Sequence, residues 1–244
     1  MKYKTEFSFN KAIVVDANML SEMNKIILEH CDSIGYRACL ENKDRIDFES
    51  LDELLEFENS KKNRISEIHI EARDKAWENT IEIDLCAYSV YVQMFTETVS
   101  VSMVTNDIDK KTVFKEKIGT LLERHQQSKR YNLISKTGVL NIIQMIYMVC
   151  AVGYLYLFLT KGIKELKSWL AILIIVLGFF SLVLREPLQK CQKKYFPPIA
   201  FCLGDGVEEY AENKNGRRNF FWGIIVAGIM SIIFLIAGYF LPQP

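Results

Sequence analysis

The chain has 244 residues, half of them hydrophobic, and its 30 basic side chains balance 30 acidic ones. That balance hides a split: residues 1–130 carry 19 Lys/Arg and 24 Asp/Glu, while residues 131–244 carry 11 and 6. An acidic first part is a poor general nucleic-acid binder, and the opening "MKYKTEFSFN" has no apolar core of a secretory signal.

In chain order, "YKTEFSFNKAIVV" predicts one strand or two. "NMLSEMNKIILEHC" carries apolar residues at helical spacing (Met19, Met23, Ile26, Ile27), and Gly35 is expected as its stop. "YRACLE" and "RIDF" predict short strands. Ser50, with Glu53 three residues on, is a capping box for a short helix. Three alternating stretches follow, "ISEIHIEA", "TIEIDLCAY" and "VYVQMFTETVSVSMV", before Asp107 opens a last helix. Residues 1–130 are therefore expected to form a cytosolic α+β domain, a mostly antiparallel sheet with about three helices, that senses or assembles.

The rest, 131–244, reads as an α-helical membrane domain of three transmembrane helices at about 137–160, 168–184 and 220–241, joined through a cytosolic loop at 185–219; the second run is short for a full crossing, and re-entrant insertion is its alternative. Basic residues set the orientation. Five lie before the first apolar run (Lys117, Arg124, Lys129, Arg130, Lys136) and seven lie in the 185–219 loop. Three (Lys161, Lys164, Lys167) lie between the first two runs, and the C-terminal tail has none. That excess places the N-terminal domain and the loop in the cytosol and the C-terminus outside.

Within the first run Asn141 and Gln144 share a helix face that Met148 continues. Two readings stay open for this stripe: interhelical hydrogen bonding, or the cytosolic mouth of a pore in an oligomer. Gly223, Ala227 and Ser231 form a small-residue face suited to close helix packing. None of the three runs holds an ionisable residue of the kind that proton-coupled pumps bury. In the loop, Pro197–Pro198 precede an apolar "IAFCL", then Gly204-Asp205-Gly206 and a polar helix. A strand here is expected to pair with an edge of the sheet, of the same or a neighbouring subunit, with residues 91–104 as the candidate partner.

Chemistry is sparse. The histidines His30, His69 and His125 are scattered, and there is no P-loop, GxSxG, GxGxxG or HExxH. No catalytic residue, metal site or cofactor is assigned, and the chain is not expected to be an enzyme. The six cysteines lack metal or redox spacing and read as free thiols. Lys61, Lys62 and Arg64 cluster between a helix and a strand and are the candidates for an anionic ligand.

"DFESLDELLEFENSKKNRI", the paired apolar runs, and "YFPPIAFCLGDGVEEYAENKNGRRNFFWGIIVAGIMSIIF" together resemble the membrane effectors of bacterial anti-phage systems, the Hailong membrane effector in particular. That resemblance implies a homo-oligomer, such as a tetramer, that forms a channel in the lipid bilayer. It implies gating by a nucleotide-type signal, in the Hailong case a single-stranded oligodeoxyadenylate made by a partner nucleotidyltransferase. Loss of the signal opens the pore and halts the infected cell (abortive infection). The alternative is a membrane-anchored scaffold without pore activity.

Overall fold

The computed structural model describes residues 2–60, 62–86, 98–137, 148, 152, 156, 186, 190, 194–219 and 223. Strands β1 (Tyr3–Phe9), β3 (Ser33–Leu40), β4 (Arg45–Phe48), β5 (Ile65–Arg73), β6 (Thr80–Cys86) and β7 (Val99–Thr105) form one antiparallel sheet in the order β1-β7-β6-β5-β3-β4. Strand β2 (Ile13–Asp16) stands outside it and pairs in parallel with β8 (Ile199–Cys202). Among the described residues there are five helices: α1 (Ala17–Leu28), α2 (Leu51–Glu56), α3 (Ile108–Arg124), α4 (Lys129–Thr137) and α5 over 206–219.

Period-two alternation builds the sheet. Ile68 and Ile70 of β5, Ile81, Ile83 and Leu85 of β6, and Val99, Val101 and Met103 of β7 are buried. Helices α1 and α3 cover that face. Asp16 caps α1 by accepting from the Met19 amide at 2.8 Å, and the helix turns Met19, Leu20, Met23 and Ile27 inward. Asp107 caps α3 in the same way, accepting from Asp109 and Lys110, and α3 buries Phe114, Ile118, Leu121 and Leu122. Ser50 Oγ accepts from the Glu53 amide at 3.2 Å, while the Glu53 carboxylate reaches back to the Glu49 amide at 2.8 Å. Gly35 does not stop α1; it lies within β3, and α1 ends at Glu29, whose amide donates to Ile27 O.

The opposite face of the sheet is polar. One cross-strand row runs Asp47–Arg37–His69–Asp84–Ser100–Ser8, with His69 Nδ1 2.5 Å from Asp84 Oδ1 and Arg37 Nε 2.6 Å from Asp47. This alternation of buried and polar sides is what an antiparallel sheet with helices on one face requires.

The fold class differs from the sequence expectation. The described residues make an α+β fold with a large antiparallel sheet, and none of their helices is long and apolar enough to cross a membrane. A crossing takes ~20 apolar residues. Here α1 has 12 residues and α3 has 17, with lysines and glutamates along it. The α-helical membrane domain of three transmembrane helices is thus not part of the fold described. Of the expected spans at 137–160, 168–184 and 220–241, only Thr137, Met148, Val152, Tyr156 and Gly223 fall among the described residues, each helical. Met148 is exposed. A Cβ on Gly223 would meet nothing within 4 Å. Asn141, Gln144, Ala227, Ser231 and Lys61 lie outside the described residues.

Candidate functional site

The site is made where residues 194–219 dock on the N-terminal domain. Their apolar stretch is β8, and its partner is β2; of the expected partner 91–104, residues 91–97 lie outside the described residues and the part within β7 pairs with β1 and β6. The register sets Ile13 beside Ile199 and Asp16 beside Cys202, and the Ile13 amide donates to Pro198 O at 3.0 Å. On the other side of β2, the Val14 amide donates to His125 O at 3.1 Å and the Gln127 amide to Ala12 O at 2.7 Å. Ile199, Phe201 and Leu203 enter the same core as α1 and the sheet. At ~25 cal/mol per Å2, a few buried apolar side chains supply several kcal/mol of docking energy.

Two glycines let the turn after β8 press against the domain. Gly204 has φ +48°, and a Cβ there would sit 2.6 Å from Phe57 O. A Cβ on Gly206 would sit 2.6 Å from both Phe201 O and the Asn59 amide nitrogen. Asn59 itself is buried and satisfied at both ends: Nδ2 donates to Phe201 O at 3.0 Å, and Oδ1 accepts from the Ile65 amide at 2.8 Å. It ties β8 to the start of β5.

Helix α5 completes the junction with polar groups. Arg64 grips Glu209 through one guanidinium nitrogen, 2.5 and 2.6 Å from its two oxygens, with Glu41 at 3.6 Å. Gln127 Nε2 donates to Tyr210 OH at 2.7 Å. Arg217 is only 8% exposed; Nη1 donates to Tyr195 O at 2.9 Å, and the guanidinium lies 5.2 Å from the ring centres of Tyr131 and of Tyr210. Gly216 allows this close packing, since a Cβ there would fall 2.9 Å from the Tyr195 ring.

These residues line a cleft of about 80 Å3, bordered by Arg64, Glu209, Tyr210, Asn213, Lys194 and Arg217. That volume suits one phosphate-sized group, since drug-sized ligands occupy pockets of about 300 Å3 or more. Arg64 is occupied by two carboxylates, whereas among the described residues no carboxylate lies within 4 Å of Lys194 or Arg217. A cation this buried is costly without an anion, although the tyrosine faces offset part of that cost.

The Asp16, His125 and Cys202 neighbourhood invites a test for nucleophilic chemistry. His125 Nε2 lies 3.8 Å from Asp16 Oδ1. Burial, and secondarily Asp16, pushes the Cys202 thiol up to about 12, with Arg217 opposing. A thiol so disfavoured as thiolate packs; it does not attack. Among the described residues no group of three or more His, Cys, Asp or Glu is placed to hold a metal ion.

Of the candidate anion ligands, Lys62 is exposed and Arg64 is the central ion-pair partner of α5. Asn59, Glu209, Tyr210 and Arg217 went unassigned in the sequence. The one signal available was Gly204-Asp205-Gly206 directly after an apolar strand, where glycine marks close backbone approach. The fold and cleft define an α+β domain clasped by a distant segment of its own chain. No protein family, curated protein or solved structure matches the chain.

Proposed function

We propose that the chain is a signal-gated effector of the bacterial inner membrane, a channel-like homo-oligomer in anti-phage defence, and that the described domain is its cytosolic sensor. A ligand of the nucleotide or oligodeoxyadenylate class seats a phosphate in the cleft against Arg217 and Lys194. The observation that supports this is Arg217 itself, a buried guanidinium with no carboxylate within 4 Å among the described residues, at a cleft whose two lining carboxylates, Glu41 and Glu209, are both held by Arg64. An oxyanion there supplies the missing counter-charge and bidentate acceptors. Docking or release of residues 194–219 is then passed to the apolar sequence that follows at 220–241. Gating requires the ligand to favour one of these two states over the other; equal affinity would shift nothing.

The test is ion flux from liposomes holding the full chain, with and without short oligodeoxyadenylate. A ligand-dependent change in flux, lost in Arg217→Ala and Lys194→Ala, is the expected result. Flux indifferent to every nucleotide overturns the gating. The polar face of the six-stranded sheet, which no described element covers, favours a second reading, a membrane-anchored scaffold, which predicts no flux at all from a folded oligomer.

A further inference from the structure

Strand β1 is the outermost strand of the sheet, and among the described residues nothing pairs with its outer side. The Thr98 amide donates to Phe9 O at 3.1 Å, so the Phe9 carbonyl faces β7. Backbone groups alternate sides along a strand, so Tyr3, Thr5 and Phe7 also bond β7, while the N–H and C=O of Lys4, Glu6 and Ser8 point to the free side. The seven residues contain no proline and no register shift against β7, two of the devices that blunt an edge; the charges present, Lys4 and Glu6, are a third, and they form an ion pair with each other within the strand. Lys4 and Glu6 stand on the polar face, with 62% and 64% of their side chains exposed.

We infer that β1 pairs antiparallel with β1 of a second copy of this chain, about a two-fold axis through Thr5. The free-side groups can bond only in registers that set even-numbered residues opposite each other. One register sets Lys4 against Lys4, and another sets Glu6 against Glu6; like charges directly opposite are unfavourable. The register centred on Thr5 sets Lys4 opposite Glu6 of the second copy, twice by symmetry, and aligns Tyr3 with Phe7 on the other face. A two-fold contact of this kind is self-complementary and closes. It joins two six-stranded sheets into one of twelve strands and covers the free side of both β1 strands, leaving β4 as the outermost strand at each end. The pairing is independent of the cleft and its ligand; it gives the proposed homo-oligomer a defined surface.

The test is covalent capture in the full-length chain. Thr5 sits on the axis at a non-hydrogen-bonded pair, where the Cα separation of about 4.5 Å suits a disulfide. Under mild oxidation Thr5→Cys should give at least tenfold more covalent dimer than the native cysteines do. Phe7→Cys should give none above that background. Adding Glu6→Pro to Thr5→Cys should abolish the dimer, since it removes a free-side donor and no bond to β7. Lys4→Glu and Glu6→Lys should each raise the dimer dissociation constant about tenfold, and the double variant should restore it; this series needs no change at the buried Thr5. Background-level capture with Thr5→Cys in a folded chain, equal capture with Phe7→Cys, or equal dissociation constants across the charge series overturns the inference.

Discussion

The six-stranded sheet and the β2–β8 pair are held by different means. In the sheet, each inner strand is hydrogen-bonded on both sides and contributes a row of buried apolar residues. At the β2–β8 junction, four register pairs, one buried amide and one charged grip hold a segment brought from far along the sequence. The sheet uses non-directional burial, which tolerates small shifts. The junction uses directional contacts around two glycines, which do not. Segments that open for function come from the second kind of structure.

The largest expected effect sharpens the sheet side. Ile83 is fully buried in the central strand β6, so Ile83→Ala should cost about 2–5 kcal/mol in chemical denaturation and weaken the whole domain. Next, Gly206→Ala forces a Cβ against Phe201 O and should undock residues 194–219. Hydrogen exchange should then quicken at Ile199–Cys202 while β5 and β6 stay protected; equal loss in both regions would break the comparison. Asn59→Ala leaves Phe201 O and the Ile65 amide without their partner and should cost about 1–3 kcal/mol, read by the same exchange experiment. Arg64→Ala should cost only about 1 kcal/mol, because Arg64 and its carboxylates keep some access to solvent, and the loss should shrink in high salt.

A further set of effects depends on pH. Burial raises Cys31 to about 11, and burial with Asp16 raises Cys202 to about 12, from 9.0. Both thiols stay protonated in the folded chain at pH values where the unfolded chain ionises. The two thiols therefore contribute nothing that changes with pH below 9, and stability should fall as pH rises from 9 toward 12. His30 runs the other way. Its ring nitrogens find no hydrogen-bond partner, and burial lowers its pKa from 6.5, so stability should fall as pH drops below that value. Alkylation of Cys202 near neutral pH should be slow until Gly206→Ala releases the segment.

Local signals in the sequence matched local structure. Asp107 and Ser50 cap α3 and α2 because a capping side chain and its amides lie within four residues of each other. The alternation of Ile65, Ile68 and Ile70 survives as the buried face of β5. What failed was long-range. The strand character of "IAFCL" was legible, but its partner was not, because Ile13–Asp16 is equally apolar whichever segment lies beside it. Gly35 carried the signature of a helix stop and is a strand residue, placed there by pairing with Glu71. Lys61, Lys62 and Arg64 look in the sequence like a cluster open to an anion; Glu209, which occupies Arg64, comes from 145 residues away. Arg217 was counted among basic loop residues, and nothing nearby in sequence announces its burial between two tyrosines.

The β2–β8 pairing also sets a schedule for synthesis. Ile13 and Ile199 are 186 residues apart, so β2 leaves the ribosome long before its partner exists. At ~5–20 residues per second, β2 waits about 10 to 40 s with one flank open and without Ile199, Phe201 and Leu203 beside it. Until then the nascent chain presents an apolar strand to any chaperone or neighbouring polysome within reach. The domain reaches its finished state only after every residue between those two strands has been translated, so a truncated product cannot assemble the clasped form.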